Sequence, residues 1–588
     1  LRTEADGRVV PDPDVALIDE ADCVLIDEAR VPMVLAGSAD AGESGRDMAA
    51  IAHGLRPGRH YEVDLDGRNV SLTEAGARAA EQALGGIDLY SAGQVDTLTQ
   101  LNVALHAHAL LHRDVDYIVR DGKVELINTS RGRVAVLQRW PDGLQAAVEA
   151  KEKLPVTEAG QILDSITVEA LVRRYPQVCG MTATAVAVGE ELREFYDLEV
   201  AVIPPNRPCV RVDEADRLYA TLNQKEAAIA AEVAASHATG RPVLIGTLDI
   251  AESERLAGRL SAAGLSATVL NAKNDAEEAA VVAEAGAHGA ITVSTQMAGR
   301  GTDIRLGGSK GDRGEVAAAG GLQVIGTGRY WSSRLDRQLR GRAGRQGDPG
   351  GSVVFVSLED ELVTSNVADV PPPRQVAADG RVSDPRAGWT VGHAQRVAEG
   401  ANLQIHRMTW RYSSLTEIQR GVVLEQRDAA LQPGSALRTL ADGSPGRYRE
   451  LADSADPGTL EEVARQIVLY HLDRGWAEHL AALADVREGI HLRALGHGHN
   501  PFVMALDPLS EFHAEAVRLF NGMLERVRQH CDETFRTIPV PLSSAWLAET
   551  GLKRPTATWT YLVTENPFGT DADRARGRLS RRIHQTGR

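Results

Sequence analysis

The stretch Gln338–Asp348 reads Q-L-R-G-R-A-G-R-Q-G-D and sets Arg340, Arg342 and Arg345 between glycines, with no apolar run to bury them. Arg342 and Arg345 stand three positions apart, so a helix or a tight turn points both guanidiniums one way. A guanidinium suits charge that builds on a transferring phosphoryl group, because its donor fork matches phosphate oxygens and does not deprotonate. Gly341 and Gly344 let the backbone approach a ligand closely. Alone, the stretch also reads as a solvated basic helix end. Far upstream, the apolar run Val15–Ile18 stops at Asp19-Glu20-Ala21-Asp22. A buried strand delivering carboxylates at its C-terminal end is the usual cleft geometry of an open α/β sheet. There Asp19 can hold Mg²⁺, directly or through its waters, and Glu20 can orient and deprotonate an attacking water. A plain acidic turn is the alternative, and the repeat Leu25-Ile26-Asp27-Glu28-Ala29-Arg30 argues against it. A third candidate is the loop Thr295–Asp303 (T-Q-M-A-G-R-G-T-D). Gly301 permits close approach, Arg300 supplies charge, and Asp303 reaches a nucleotide hydroxyl or a metal-bound water.

These residues need elements to hold them. From about residue 205 the pattern alternates: strand Pro242–Gly246, helix Asp249–Ala263, strand Ala267–Leu270, helix Glu277–Glu284 and strand Ala290–Ser294. That predicts a parallel, doubly wound domain, closed by the arginine segment and the strand Val353–Ser357. Residues 36–152 differ in character. Asp116–Arg120 and Lys123–Ile127 alternate around Asp121-Gly122, a two-residue hairpin signal, within an inserted α+β domain. Cys179–Ala185, which contains Thr182, is a hydroxyl-rich turn suited to joining two lobes, or a plain buried turn. Residues 366–386 are a Pro- and Gly-rich linker. Next, Val391, Ala394, Val397, Ala401, Ile405, Met408, Tyr412, Leu415, Ile418 and Val422 recur at steps of three and four. They predict one helix of about ten turns. Pro433–Pro457 is polar and punctuated. A helix from about Leu460 presents Trp476, Leu480, Leu483, Arg487 and Ile490, and a second begins at Asp507-Pro508 with Leu509, Phe512, Ala516, Phe520, Met523 and Val527. Together they predict a helical hairpin, its tip holding His497 and His499 as solvated residues rather than metal ligands.

A chain of 588 residues with 43% hydrophobic and 25% charged residues is a soluble multidomain protein. Its net charge of −17 argues against a nucleic-acid coat. Cys23, Cys179, Cys209 and Cys531 lack pairing or metal spacing, which points to a reducing compartment and no zinc. No apolar run reaches membrane length and no signal peptide is evident. The chain is expected to be cytoplasmic, or peripheral at a membrane. The sequence ends in Arg574, Arg576, Arg578, Arg581, Arg582 and Arg588 with no acid after Asp573, a solubilising tail or a weak attraction for anionic lipid. A phosphate cradle, G-x-x-x-x-G-K-[S/T], is absent; Gly307-Gly308-Ser309-Lys310 has the wrong order. The expectation is a cradle lying upstream of Leu1, and weak nucleotide binding by these residues alone.

The motifs together resemble the SecA family, the motor ATPases of bacterial preprotein export. Asp19–Arg30 is similar to that family's Walker B segment. Asp114–Val119 (D-V-D-Y-I-V) and Arg139–Glu152 (R-W-P-D-G-L-Q-A-A-V-E-A-K-E) resemble its preprotein cross-linking domain. Gly180–Ala185, Asn271-Ala272-Lys273, Gln296–Gly308 and Gln338–Asp348 resemble its successive motor motifs, and Gly489–Arg493 (G-I-H-L-R) its two-helix finger. The resemblance implies an α/β plus α fold. Two RecA-like lobes, the first incomplete, would span 1–35 with 153–204 and 205–387. The cross-linking domain would span 36–152, the helical scaffold with two-helix finger 388–432 and 458–535, a reduced wing 433–457, and a tail 536–588.

By the same resemblance, Asp19 positions Mg²⁺ beside ATP and Glu20 is the general base. Thr182, Arg300, Gly301 and Asp303 contact nucleotide, and Arg342 and Arg345 act as fingers facing the carboxylates across a crevice. Trp140 and Leu495 meet substrate, Leu495 standing where the family commonly has tyrosine. Implied partners are unfolded preprotein, the membrane channel of general secretion, anionic lipid and a second copy of the chain, but no nucleic acid. The implied location is cytoplasmic and peripheral at the cytoplasmic face of the cell membrane. A reduced wing and the lack of a zinc-binding cysteine tail are most similar to the accessory SecA of mycobacteria and their relatives. Asn128-Thr129-Ser130 replaces a more acidic family segment. The rivals are a DEAD-type nucleic-acid helicase and an inactive truncated fragment.

Overall fold

The computed structural model describes residues 12–38, 45–63, 70–128, 133–134, 138–140, 143–156, 160–270, 278–295, 302–309, 311–496, 508–542, 546 and 558–561. The chain divides into two compact units, Leu1–Ala41 with Glu158–Gly180 and Gln404–Arg588, and Gly42–Thr157 with Met181–Leu403. The architecture is α/β plus α.

The second unit is built on a seven-stranded sheet. Its order is Val212–Asp213, Gly350–Ser357, Leu322–Gly326, Val243–Thr247, Ile291–Thr295 and Thr268–Leu270, with Arg217–Tyr219 also on Gly350–Ser357. Its strands all pair in parallel among the described residues. The central strands V-L-I-G-T, I-T-V-S-T and L-Q-V-I-G are buried along their whole length, as both faces of a parallel sheet require. The strand and helix alternation read from residue 242 onward is present to within two residues at each boundary, with the helix at Ile250–Ala262 capped by the Asp249 side chain. The last strand begins three residues earlier than the sequence reading, at Gly350.

Where these strands end, Lys225, Glu252 and Asp360 form a buried ionic cluster. Lys225 Nζ lies 2.5 Å from Asp360 Oδ1 and 3.9 Å from Glu252 Oε1, with the three side chains at most 8% exposed. Thr327 Oγ1 and the Leu248 N–H donate to Glu252, and the Ser357 N–H donates to Asp360. Burial pushes both carboxyls up, and Lys225 pulls them back down.

The inserted domain carries its hairpin where the alternation placed it, Tyr117–Arg120 against Lys123–Asn128. Asp121 at φ +50° and Gly122 at φ +72° are both left-handed, the requirement of a type I′ turn. Ile118 and Ile127 of this hairpin pack on Ile250 of the parallel domain.

In the first unit, Met33–Ser38 pairs antiparallel with Gly160–Ile166 on one side and with Thr558–Tyr561 on the other. The unit also holds the strand Val15–Asp19 paired with Gln177–Met181, and most of the rest is helical. The long helix is Pro385–Leu431, 47 residues, entering this unit at Gln404 and longer than the ten turns read from its apolar stripe. The stripe holds at Val391, Ala394, Ile405 and Tyr412, all buried, but Ile418 is 67% exposed and Val423 is buried in place of Val422. A 3.6-residue period drifts against a fixed stripe over so many turns. Here Gln419 takes the inward position: its Nε2 donates to the Ala516 carbonyl at 3.1 Å, and its Oε1 meets His479 Nε2 at 2.9 Å. The polar stretch 433–457 is not featureless, for it forms the short helices Ser435–Gly443 and Pro445–Ala452. The helices Pro457–Gly496 and Pro508–Thr537 pack as a pair through Trp476, Phe520, Met523 and Val527, the faces the spacing predicts. The tip with His497 and His499 lies outside the described residues.

Lys225→Met is expected to lower the stability of the second unit by about 3–5 kcal/mol, because it strands two buried carboxyls; urea denaturation checks it. In the first unit, burial raises Glu417 to about 7 from 4.5, Arg420 opposing it and Asp164 adding to it. Stability linked to this group is present below pH 4.5 and is lost as pH rises through 7. Glu417→Gln should therefore raise the melting temperature at pH 8 and leave it nearly unchanged at pH 4.5.

Candidate functional site

The carboxylate end is built on the strand Val15–Asp19. The sequence reading made this a buried strand; in the structure Val15 is 52% and Leu17 67% exposed. Its only sheet partner among the described residues is Gln177–Met181, so its other edge is unpaired there. Gly180 lies so close that a Cβ on it would stand 2.7 Å from the Ala21 Cβ and 3.1 Å from the Ile18 carbonyl oxygen, which excludes any larger residue.

Directly after the strand, Glu20 adopts φ +51°. Left-handed backbone costs a non-glycine residue about 1–3 kcal/mol and persists only where the surroundings enforce it. Three contacts enforce it here. The Glu20 N–H donates to Asp19 Oδ1 at 2.8 Å, and the Glu20 carbonyl accepts from the N–H groups of Cys23 at 2.9 Å and Val24 at 3.3 Å. The chain then runs through a π-helical turn, Cys23–Asp27, and a 3-10 turn, Glu28–Arg30. Asp22, Cys23, Leu25, Ile26 and Ala29 are buried and anchor the turn. Cys23 Sγ donates to Glu28 Oε1 at 3.3 Å. Asp19 is exposed and Glu20 half-buried, so both carboxylates are open to water. A carboxylate of this kind fits Mg²⁺, which takes one or two carboxylates and completes its shell with water and phosphate oxygens.

The arginine end begins at the helix Ser333–Arg340. Arg340 is not available for chemistry, because its Nη2 donates to Asp216 Oδ1 at 3.0 Å. Arg342 and Arg345 converge on adjacent residues of one loop. Arg342 Nη1 donates to the Thr302 carbonyl at 3.2 Å, and Arg345 Nη1 to Asp303 Oδ1 at 3.1 Å. The geometry comes from a tight turn rather than helical spacing, with Gly344, Gln346 and Gly347 all at positive φ. The glycines do not serve as ligand approach points. Gly341 closes the helix, and a Cβ on Gly344 would stand 2.6 Å from the Arg211 Cβ. Arg211 holds the turn from behind, donating to the Ala343 carbonyl at 3.1 Å while paired with Asp213. Arg342 is 9% exposed as a residue, whereas the Arg345 side chain is 41% and Asp303 56% exposed. Asp303, read as a nucleotide contact, is thus engaged by Arg345.

Thr182 is half-buried, its Oγ1 accepting from the Thr184 N–H at 3.3 Å. Trp140 is 5% exposed and stands edge-on to Tyr117 at 5.8 Å, within the interior of the inserted domain. Leu495 belongs to the last turn of Pro457–Gly496. Arg300, Gly301 and Asn271–Lys273 lie outside the described residues. Among the described residues no cluster of three or more His, Cys, Asp or Glu is placed to hold a metal, and no helix is long and apolar enough to cross a membrane. Sequence reasoning missed the left-handed Glu20, the diversion of Arg340 to Asp216, and the buried pairs of the long helix. The last were the most accessible, since Gln395, His406, Thr409, Gln419 and Arg427 interrupt the apolar inward face.

Fold and site define an α/β motor domain with an inserted α+β module and a helical scaffold. Residues 42–149 match the SecA preprotein cross-linking domain, 208–314 and 309–370 the SecA P-loop domain, and 437–538 the SecA Wing and Scaffold domain. Over 580 residues the chain is 59% identical to "Protein translocase subunit SecA 2" of Thermobifida fusca, covering 98% of this chain and 75% of that one. It is 56% identical over 573 residues to the SecA 2 of Mycobacterium sp. (strain KMS), covering 97% and 73%. With the SecA 2 of Mycolicibacterium smegmatis it shares 54% over 583 residues, again 97% and 73%. The chain belongs to the SecA family of protein translocase subunits.

Proposed function

We propose a division of labour among the residues of this SecA-type preprotein export motor. Glu20 orients the attacking water and takes its proton. Asp19 holds Mg²⁺, whose charge, when bound, neutralises the phosphate oxygens of ATP. Arg342 and Arg345 supply positive charge to the transferring phosphoryl group, and Thr182, Arg300, Gly301 and Asp303 line the nucleotide. The single observation that supports this reading most is the strained Glu20 next to an exposed Asp19. A non-glycine residue held left-handed at a strand end is the kind of enforced strain that clusters at active sites. Arg345 pairs with Asp303, and nucleotide would compete for both.

The work of hydrolysis moves unfolded preprotein through the membrane channel, with Leu495 at the finger tip touching the moving chain. In this reading the protein is cytoplasmic and peripheral at the cytoplasmic membrane face, its arginine-rich end drawn to anionic lipid, with a homodimer as one working form. Neither zinc nor nucleic acid takes part. Residues 1–588 contain no G-x-x-x-x-G-K-[S/T], so turnover by these residues alone is weak.

In the full-length protein, Glu20→Gln should abolish ATP turnover while nucleotide still binds, read by phosphate release and by fluorescent-nucleotide titration. Normal turnover in that variant would remove Glu20 from the mechanism. Arg342→Ala and Arg345→Ala should each lower turnover by about 10³-fold or more. Unfolded preprotein with membrane vesicles should accelerate the parent, and RNA should not; the reverse pattern would favour a helicase.

A further inference from the structure

The turn that carries Glu20 is fastened to the long helix. Thr409 Oγ1 donates to the Arg30 carbonyl at 2.9 Å, and Arg30 Nε donates to the Asp27 carbonyl at 3.0 Å. Three residues earlier on the same helix face, His406 Nε2 pairs with Glu169 Oε1, the two side chains 1% and 0% exposed. Arg173, on the same short segment as Glu169, holds its guanidinium 4.6 Å from the Trp410 ring. A buried hydrogen-bonded pair contributes little net stability over apolar residues of equal volume. What it contributes is one register of helix against partner, since a shift of one residue leaves a carboxyl buried without its donor.

Further along, the same helix is tied to the helix pair. Arg420 donates to Asp164 from Nε at 2.9 Å and from Nη2 at 2.6 Å, and Trp476 Nε1 donates to the same carboxylate at 3.1 Å. Gln419 bridges His479 on one helix of the pair and the Ala516 carbonyl on the other. Polar contacts at two places on the long helix, Thr409 with His406 and Gln419 with Arg420, therefore tie the Glu20 turn and the helices Pro457–Gly496 and Pro508–Thr537 to one rigid element.

We propose that Thr409 and His406 are positioning residues for hydrolysis: they set the turn Cys23–Arg30, and Glu20 with it, according to where the helix pair stands. The Glu20 carbonyl accepts N–H groups from that turn, so a displacement of Arg30 reorients the Glu20 peptide. Polypeptide engaged by the helix pair would thereby change the rate at which water is activated. This rests on the function proposed above.

The test is steady-state ATP turnover of the full-length protein, with and without unfolded preprotein and membrane vesicles. Thr409→Val removes the hydroxyl at nearly constant volume. It should lower the preprotein-stimulated kcat about tenfold and leave the KM for ATP within about twofold. Thr409→Ser should restore most of the loss. His406→Leu should act alike, and its effect should not add to that of Thr409→Val. Ser414→Ala, whose hydroxyl donates to the Arg411 carbonyl of its own helix, should behave as the parent. Full stimulation in a well-folded Thr409→Val, in a parent that preprotein does stimulate, overturns this proposal alone. A loss that Thr409→Ser fails to restore, accompanied by a lower melting temperature, makes the contact merely structural and overturns it too. A parent stimulated by RNA instead overturns the underlying reading as well.

Discussion

The backbone of Glu20 is the constraint on which the remaining arrangement hangs. Its φ of +51° is a conformation the residue would leave if released. The structure retains it by giving the peptide before and the carbonyl after Glu20 fixed partners, and by sinking the following turn into a buried cluster of Leu25, Ile26 and Ala29. The strand in front adds little restraint, since its side chains are half exposed. Restraint comes from downstream, from the π-turn and the 3-10 turn after it, whose last residue, Arg30, the long helix holds by its carbonyl. The strain is localised at Glu20, directly beside the exposed Asp19.

The parallel domain was legible because its strands are short apolar runs and its helices carry caps. Asp249 and Thr221 mark two helix starts by side chains that accept the expected N–H groups. The Asp121-Gly122 turn was legible for a similar reason, being a local backbone requirement that few residue types meet. The long helix was legible in kind but not in register. Its inward face changes partner along its length, and at Gln419 the partner is a carbonyl and an imidazole rather than an apolar surface.

At the site, residue types spoke more clearly than roles. Arg340, Arg342 and Arg345 look equivalent in sequence, yet Asp216 engages one of them from over a hundred residues away. No spacing rule contains that pairing. The helical-spacing argument brought Arg342 and Arg345 to a common target, Thr302-Asp303, although the route is a turn of left-handed residues. Trp140 carries the opposite lesson: an aromatic residue within a segment associated with substrate sits in the interior, edge-on to Tyr117.

The turn after Ala343 places three residues in left-handed backbone within four positions, Gly344, Gln346 and Gly347, and Arg211 backs the first of them. Glycine takes left-handed torsion at no steric cost, so of the three only Gln346 bears strain. Through Arg211 the backbone ahead of Arg345 is tied to Asp213 on the neighbouring strand, so an excursion of its guanidinium is made by side-chain torsions rather than by the loop.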